Sequence, residues 1–197
     1  SLLFGASMML IIERAEAKGE DAAKVHYARM FWLALFGLAH FFLFWFGDIL
    51  FTYAAVGCIA FLLHDWEAEK LIKWALVVFG LGFLLWAGPM GGLQYLHYMA
   101  NQTGAAADVL RDYQKAMSEL ISQADTAKQL AVYRGSWGDI IAYKLAEPME
   151  PLSLVMQSLP ETLPYMMLGM AMQKNGFLAG EWSEADYRRW ITRLLPA

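Results

Sequence analysis

Met30-Phe31-Trp32-Leu33-Ala34-Leu35-Phe36-Gly37-Leu38-Ala39-His40-Phe41-Phe42-Leu43-Phe44-Trp45-Phe46 is apolar on every face of a helix except at His40. A helix that is hydrophobic all round has no side for water, so it is buried or faces lipid. Its length is close to the roughly 17–25 residues needed to cross a hydrocarbon core. Gly47-Asp48 ends the run, and a second apolar stretch follows from Ile49 to Leu63, closing on His64-Asp65-Trp66. That stretch is short for a span, which tilt or local thinning of a bilayer accommodates. Further along, Leu71 to about Met90 is apolar and ends in Gly88-Pro89-Met90-Gly91-Gly92, and Leu152 to Met172 is apolar but interrupted by Pro160, Glu161 and Pro164. In the other direction, Ser1 to Ile12 is apolar without the basic region that precedes a signal-peptide core. It reads as a partial span whose earlier part is missing, and Leu194-Leu195-Pro196-Ala197 ends as abruptly.

Composition agrees. Of 197 residues, 58% are hydrophobic and 17% charged, where soluble domains carry about a quarter charged residues. The apolar residues are gathered into runs, with Lys and Arg clustered beside them, which is a membrane pattern. The net charge of −4 gives no reason to expect a nucleic-acid partner. Cys58 is the single cysteine, so neither an intramolecular disulfide nor a zinc cluster can form, and it reads as a small packing residue. No phosphate-binding Gly-Lys loop and no dinucleotide glycine fingerprint is present.

These features predict an all-α fold: a polytopic transmembrane helix bundle of about five spans, the first partial, in a single domain over residues 1–197. A polar stretch, 101–150, interrupts it as an extramembrane helical insertion. Within that stretch Asp108 to Tyr133 reads as an amphipathic helix with Val109, Tyr113, Met117, Leu120 and Ile121 at helical spacing. Ser183-Glu184-Ala185-Asp186 is a capping-box pattern opening a short helix with Arg188, Arg189 and Arg193. The excess of Lys and Arg places the loop 13–29 on the cytoplasmic side and Gly47-Asp48 with 101–150 on the outer side.

Four residues stand out for chemistry. His40 sits within an apolar run, where an ionisable group is costly unless partnered and is a functional candidate by default; the plainer reading is a neutral histidine bonded to a neighbouring helix. It has the chemistry of a general base or an acyl-accepting nucleophile. Asp48 lies eight residues on, roughly 12 Å along one straight helix. That separation keeps the two side chains from bonding directly, leaves both able to face one cavity, and suits Asp48 to cap the following helix. Arg134, in Tyr133-Arg134-Gly135-Ser136, has a guanidinium suited to an anionic group, or is simply a solvated arginine. Glu161 lies between two prolines that free backbone carbonyls and break a span, as at transporter binding sites, unless the span starts only after Pro164. His26 in the basic loop, His64 at an interface and His97 show no metal-ligand spacing.

The order of Ser1-Leu2-Leu3-Phe4-Gly5-Ala6, Arg29, Gly37-Leu38-Ala39-His40, Gly47-Asp48-Ile49-Leu50, Tyr53-Ala54, Tyr133-Arg134-Gly135-Ser136, Met167-Leu168-Gly169-Met170-Ala171 and Lys174-Asn175-Gly176-Phe177 resembles the YeiB-like family, domain of unknown function 418. The resemblance covers nearly the whole chain, which looks like the central part of longer bacterial inner-membrane proteins. It implies a more distant relation to membrane acyltransferases that move acyl groups onto sugars. On that analogy His40 is base or acyl carrier, Asp48 orients an acceptor or partner, and Arg134 holds an anionic group. Acyl-coenzyme A is the donor such a reaction calls on; no other cofactor and no metal is implied. The implied partners are the lipid bilayer and either the missing helices of a longer chain or another membrane subunit, with an oligomer compatible with both. A transporter or exporter built around Glu161, and a non-catalytic membrane subunit, are the alternatives.

Overall fold

The computed structural model describes residues 1–45, 47–102, 106–120 and 123–194. Among them are nine α-helices and no strand: α1 Leu2–Ala17, α2 Ala22–Leu43, α3 Leu50–Phe61, α4 Ala68–Ala100, α5 Ala107–Leu120, α6 Gln123–Tyr133, α7 Trp137–Ala146, α8 Glu150–Lys174 and α9 Glu184–Leu194. Each of the five apolar segments of the sequence contributes to a different helix, α1 to α4 and α8, with Phe44 and Trp45 beyond the end of α2. Among the described residues one helix, α4, is long and apolar enough to cross a membrane.

The bundle is organised around α8, which packs against α1, α3 and α4, while α2 packs against α1 and α3. Its core joins Met8, Met9 and Ile12 of α1, Val56, Ala60 and Phe61 of α3, Leu71 and Ala75 of α4, and Val155, Met166, Met167, Met170 and Ala171 of α8. Unbranched methionine fills irregular gaps between helices. Small residues set the closest approach: a Cβ on Gly5 would collide with the Met166 carbonyl, and one on Gly169 with that of Leu2.

Several expectations are revised. α4 has 33 residues and runs through Pro89 and the paired glycines instead of ending near Met90. At about 1.5 Å per residue it is about 50 Å long, and its last turns hold α5 through His97, whose Nδ1 lies 2.8 Å from the Tyr113 hydroxyl. α8 is likewise continuous through Pro160 and Pro164, so the helix is not broken at Glu161. The amphipathic stretch 108–133 is divided between α5 and α6; Ile121 lies outside the described residues, as do Phe46 and Leu195-Pro196-Ala197. His26 is not a loop residue. It is 1% exposed on α2, with Nε2 3.2 Å from the Gly57 carbonyl oxygen and its ring stacked on Phe61 at 4.8 Å.

Ser183 caps α9 as one half of the box read in the sequence: the Asp186 N–H donates to Ser183 Oγ at 3.2 Å, while the hydroxyl donates to Asp186 Oδ2 at 2.6 Å. Gly176, at φ +76°, turns the chain out of α8 in the left-handed conformation that favours glycine. α9 then packs on Phe177, which meets Trp182 and Tyr187 at ring separations of 5.1 and 5.3 Å.

Candidate functional site

α2 ends at Leu43, and the N–H groups of Phe44 and Trp45 both fold back to the carbonyl of His40 at 2.9 and 3.0 Å. The chain therefore reverses immediately after His40, and Asp48 returns beside it. His40 Nδ1 lies 3.3 Å from Asp48 Oδ1, at ion-pair distance but without the alignment of a hydrogen bond. This corrects the 12 Å separation expected for one straight helix: the helix stops between the two residues.

Asp48 is held from the other side by α3. Its Oδ1 accepts from the Leu50 N–H at 3.2 Å and its Oδ2 from the Phe51 N–H at 3.4 Å. The Asp48 side chain is 3% exposed and that of His40 42%. One group is thus buried and fixed while the other is open, its ring stacked on Phe44 at 5.8 Å. With Nδ1 turned to the carboxylate, Nε2 is the nitrogen left to meet an outside partner. Gly37, one turn before His40, makes room: a Cβ there would stand 3.0 Å from Asp48 Oδ2 and collide with the Phe51 backbone.

α7 closes the end of α2. The last carbonyls of a helix have no partner within it, and here side chains from about a hundred residues away supply two. Lys144 Nζ donates to the Phe41 carbonyl at 3.0 Å, and Trp137 Nε1 donates to that of Leu43 at 2.8 Å. Lys144 is 1% exposed. Desolvation pushes its ammonium below the usual lysine value, with Glu150 acting against that. Ser136 and Asp139 form the capping box that starts α7. The Ser136 hydroxyl and its backbone N–H hold the Asp139 carboxyl below its ordinary value. Sequence reasoning passed over Lys144 and Trp137. The available signal was a lysine isolated within Ile140-Ile141-Ala142-Tyr143-Lys144-Leu145, where a cation needs a buried acceptor.

The other two candidates lie apart from this pair. Arg134 is exposed on the turn leading into α7. Glu161 is exposed in the middle of α8. It lines a groove of about 270 Å³ against α4 together with Phe79, Gly82, Phe83 and Trp86. Among the described residues no group of three or more His, Cys, Asp or Glu is placed to hold a metal ion.

No family model matches the chain, and no solved structure matches it. It is similar to the uncharacterised protein YxaH of Bacillus subtilis (strain 168), at 30% identity over 201 residues, covering 100% of this chain and 46% of that protein. It is also similar to the uncharacterised protein YeiB of Escherichia coli (strain K12), at 27% identity over 193 residues, covering 96% of this chain and 43% of that protein. The chain spans a little under half the length of these relatives, and both fit the YeiB-like resemblance of the sequence.

Proposed function

We propose that this chain is the central part of a YeiB-like, domain of unknown function 418 protein of the bacterial inner membrane, and that it transfers acyl groups from a cytoplasmic thioester donor to an acceptor on the outer side. The observation that carries the reading is the His40–Asp48 pair, with a buried, anchored carboxylate 3.3 Å from the Nδ1 of a half-exposed imidazole.

Such a pair is the orienting half of a general-base device. His40 Nε2 takes the proton from an acceptor hydroxyl as that oxygen attacks the thioester carbonyl. Asp48 stabilises the resulting imidazolium. The carbon–sulfur bond then breaks, and the thiolate leaves with the proton returned by His40. Arg134, on the turn before α7, is suited to an anionic group of donor or acceptor. Alignment of the pair is expected to tighten once substrate is bound, since catalytic hydrogen bonds are commonly long in the free protein.

The membrane placement draws on α4. Leu76, Leu81, Phe83, Leu84, Leu85 and Trp86 are all exposed on it, which is untypical of the core helix of a soluble domain and suits lipid or further helices. In this reading α1, α2, α3, α4 and α8 form the five spans, the first partial, and α5 to α7 form the outer insertion. Residues 13–29, the end of α1 and the start of α2, are then cytoplasmic.

Transfer of labelled acyl groups from acyl-coenzyme A, in membranes expressing the full-length protein, tests the proposal with His40→Ala alongside. Label on protein or glycan that vanishes in the variant supports it, and equal label in both sinks the role of His40. A second reading, transport or export of a small molecule, draws on the Glu161 groove. It predicts uptake or efflux that survives His40→Ala and is lost in Glu161→Gln.

A further inference from the structure

The groove between α4 and α8 has a composition that selects for one kind of ligand. On α4, Phe79, Phe83 and Trp86 share a face with Gly82; on α8, Gln157, Pro160, Glu161 and Tyr165 do the same. The floor is the contact of the two helices, so close that a Cβ on Gly82 would stand 2.5 Å from Pro160 Cβ. Phe79 and Tyr165 close one end, edge to face at 5.9 Å.

Beside the Tyr165 hydroxyl, three groups here offer acceptors. Glu161 offers a carboxylate. Pro164 has no N–H to return to the carbonyl of Pro160, whose oxygen lies 3.3 Å from where a Gly82 Cβ would be. Gln157 donates its Nε2 to Ser153 Oγ at 3.1 Å, which leaves its carbonyl oxygen as the free end. Around these acceptors stand four aromatic rings, whose faces attract cations. A space of about 270 Å³ is far larger than a bare metal ion and close to the lower end of small-molecule sites.

We propose that this groove binds the ammonium group of a small organic amine: Glu161 is the counter-ion, the Pro160 carbonyl accepts an N–H, and Trp86 and Phe83 lie against the attached carbon chain. The site uses α4 and α8, not α2, α3 and α7, so it is independent of the acyl-transfer reading; it names the ligand class for the groove on which the transport reading rests. The ammonium can come from a free amine or from a lipid headgroup.

The test is titration calorimetry of the purified full-length protein with n-butylammonium chloride. Saturable binding is expected, weakened at least tenfold by Glu161→Gln and several-fold by Trp86→Leu, with no binding of 1-butanol. An unchanged thermal midpoint shows that each variant is folded. No saturable binding, equal affinity in Glu161→Gln, equal binding of 1-butanol, or displacement by equimolar sodium each overturns the proposal. Repeating the titration in phosphatidylglycerol nanodiscs with and without phosphatidylethanolamine identifies the source. Competition by phosphatidylethanolamine supports a headgroup site, and unaltered butylammonium binding supports a free-amine site.

Discussion

Lys144 donates to the carbonyl oxygen of Phe41 across 103 positions of sequence, at 3.0 Å and out of reach of water. With Trp137 on the Leu43 carbonyl, it fixes the insertion helix α7 to the end of α2 that bears His40. The insertion is therefore part of the candidate site, acting through the helix end on which the imidazole is mounted.

Removing that cation should free α7 before it unfolds the bundle. Lys144→Ala leaves a buried carbonyl unpaired, a loss of about 1–3 kcal/mol, and Lys144→Met separates lost bonding from lost packing. Limited trypsin digestion reads the result at the exposed Arg134. We expect cleavage there to quicken roughly tenfold or more in Lys144→Ala, the factor that about 1.4 kcal/mol represents. Cleavage at the native rate would mean that α7 is held by other contacts.

Asp48 serves two neighbours, and two substitutions separate them. Asp48→Asn keeps an acceptor for the α3 N-terminus, where Asn and Asp cap about equally well, but removes the charge beside His40. Protein yield should stay near native while acyl transfer falls about 10²–10⁴-fold, the range attributed to general-base assistance. Asp48→Ala should in addition lower stability by about 0.5–2 kcal/mol. If Asp48→Asn transfers acyl groups at the native rate, the carboxylate is a cap and nothing more.

The apolar helices and the Ser183 cap could be read in the sequence because each is a local pattern: all-round hydrophobicity, or an oxygen three residues from an N–H. The His40–Asp48 contact could not. It depends on α2 ending at Leu43 and not four residues later, a boundary that Phe44 and Trp45, both apolar, do not mark. The prolines of α8 misled for a related reason: packing on Gly82 and on the α1 backbone holds the helix together where propensity alone would end it. The charged neighbours Lys24 and Arg29 make His26 read as a loop residue, yet on α2 it occupies the face toward Gly57 and Phe61. Burial of a single position is a tertiary property, and flanking charge does not report it.

His26 makes stability depend on pH. It precedes the apolar segment that begins at Met30, and burial drives its pKa below 6.5, outweighing the Gly57 carbonyl, which favours the proton. A base with a lowered folded pKa binds its proton more readily when unfolded, so stability is fully present above about pH 6.5 and is lost as pH falls toward the folded value. Thermal midpoints of the detergent-solubilised protein should therefore decline as pH drops from about 7 to 5. His26→Phe retains the stacking on Phe61 and has nothing to titrate, so its decline should be shallower. An identical slope in the variant would assign the pH dependence to other groups.

Gly37 is the position where a single added methyl tests the whole arrangement. A Cβ there meets the backbone of Phe51 and stands 3.0 Å from Asp48 Oδ2, and neither neighbour is the yielding tip of a long side chain. α2 must move away from the start of α3, and the carboxylate then loses either its N–H donors or its approach to His40. Overpacking of this kind costs about 1–3 kcal/mol, partly offset by the better helix propensity of alanine, worth up to about 1 kcal/mol. Gly37→Ala should therefore lower the thermal midpoint and depress acyl transfer, with kcat falling more than the apparent affinity for donor. Gly80→Ala, on α4 where an added Cβ meets nothing within 4 Å, should leave acyl transfer unchanged and hold or raise the midpoint through that same propensity. Equal behaviour of the two variants would show that α2 and α3 are free to separate without consequence, and the pairing of His40 with Asp48 would lose its claim to function.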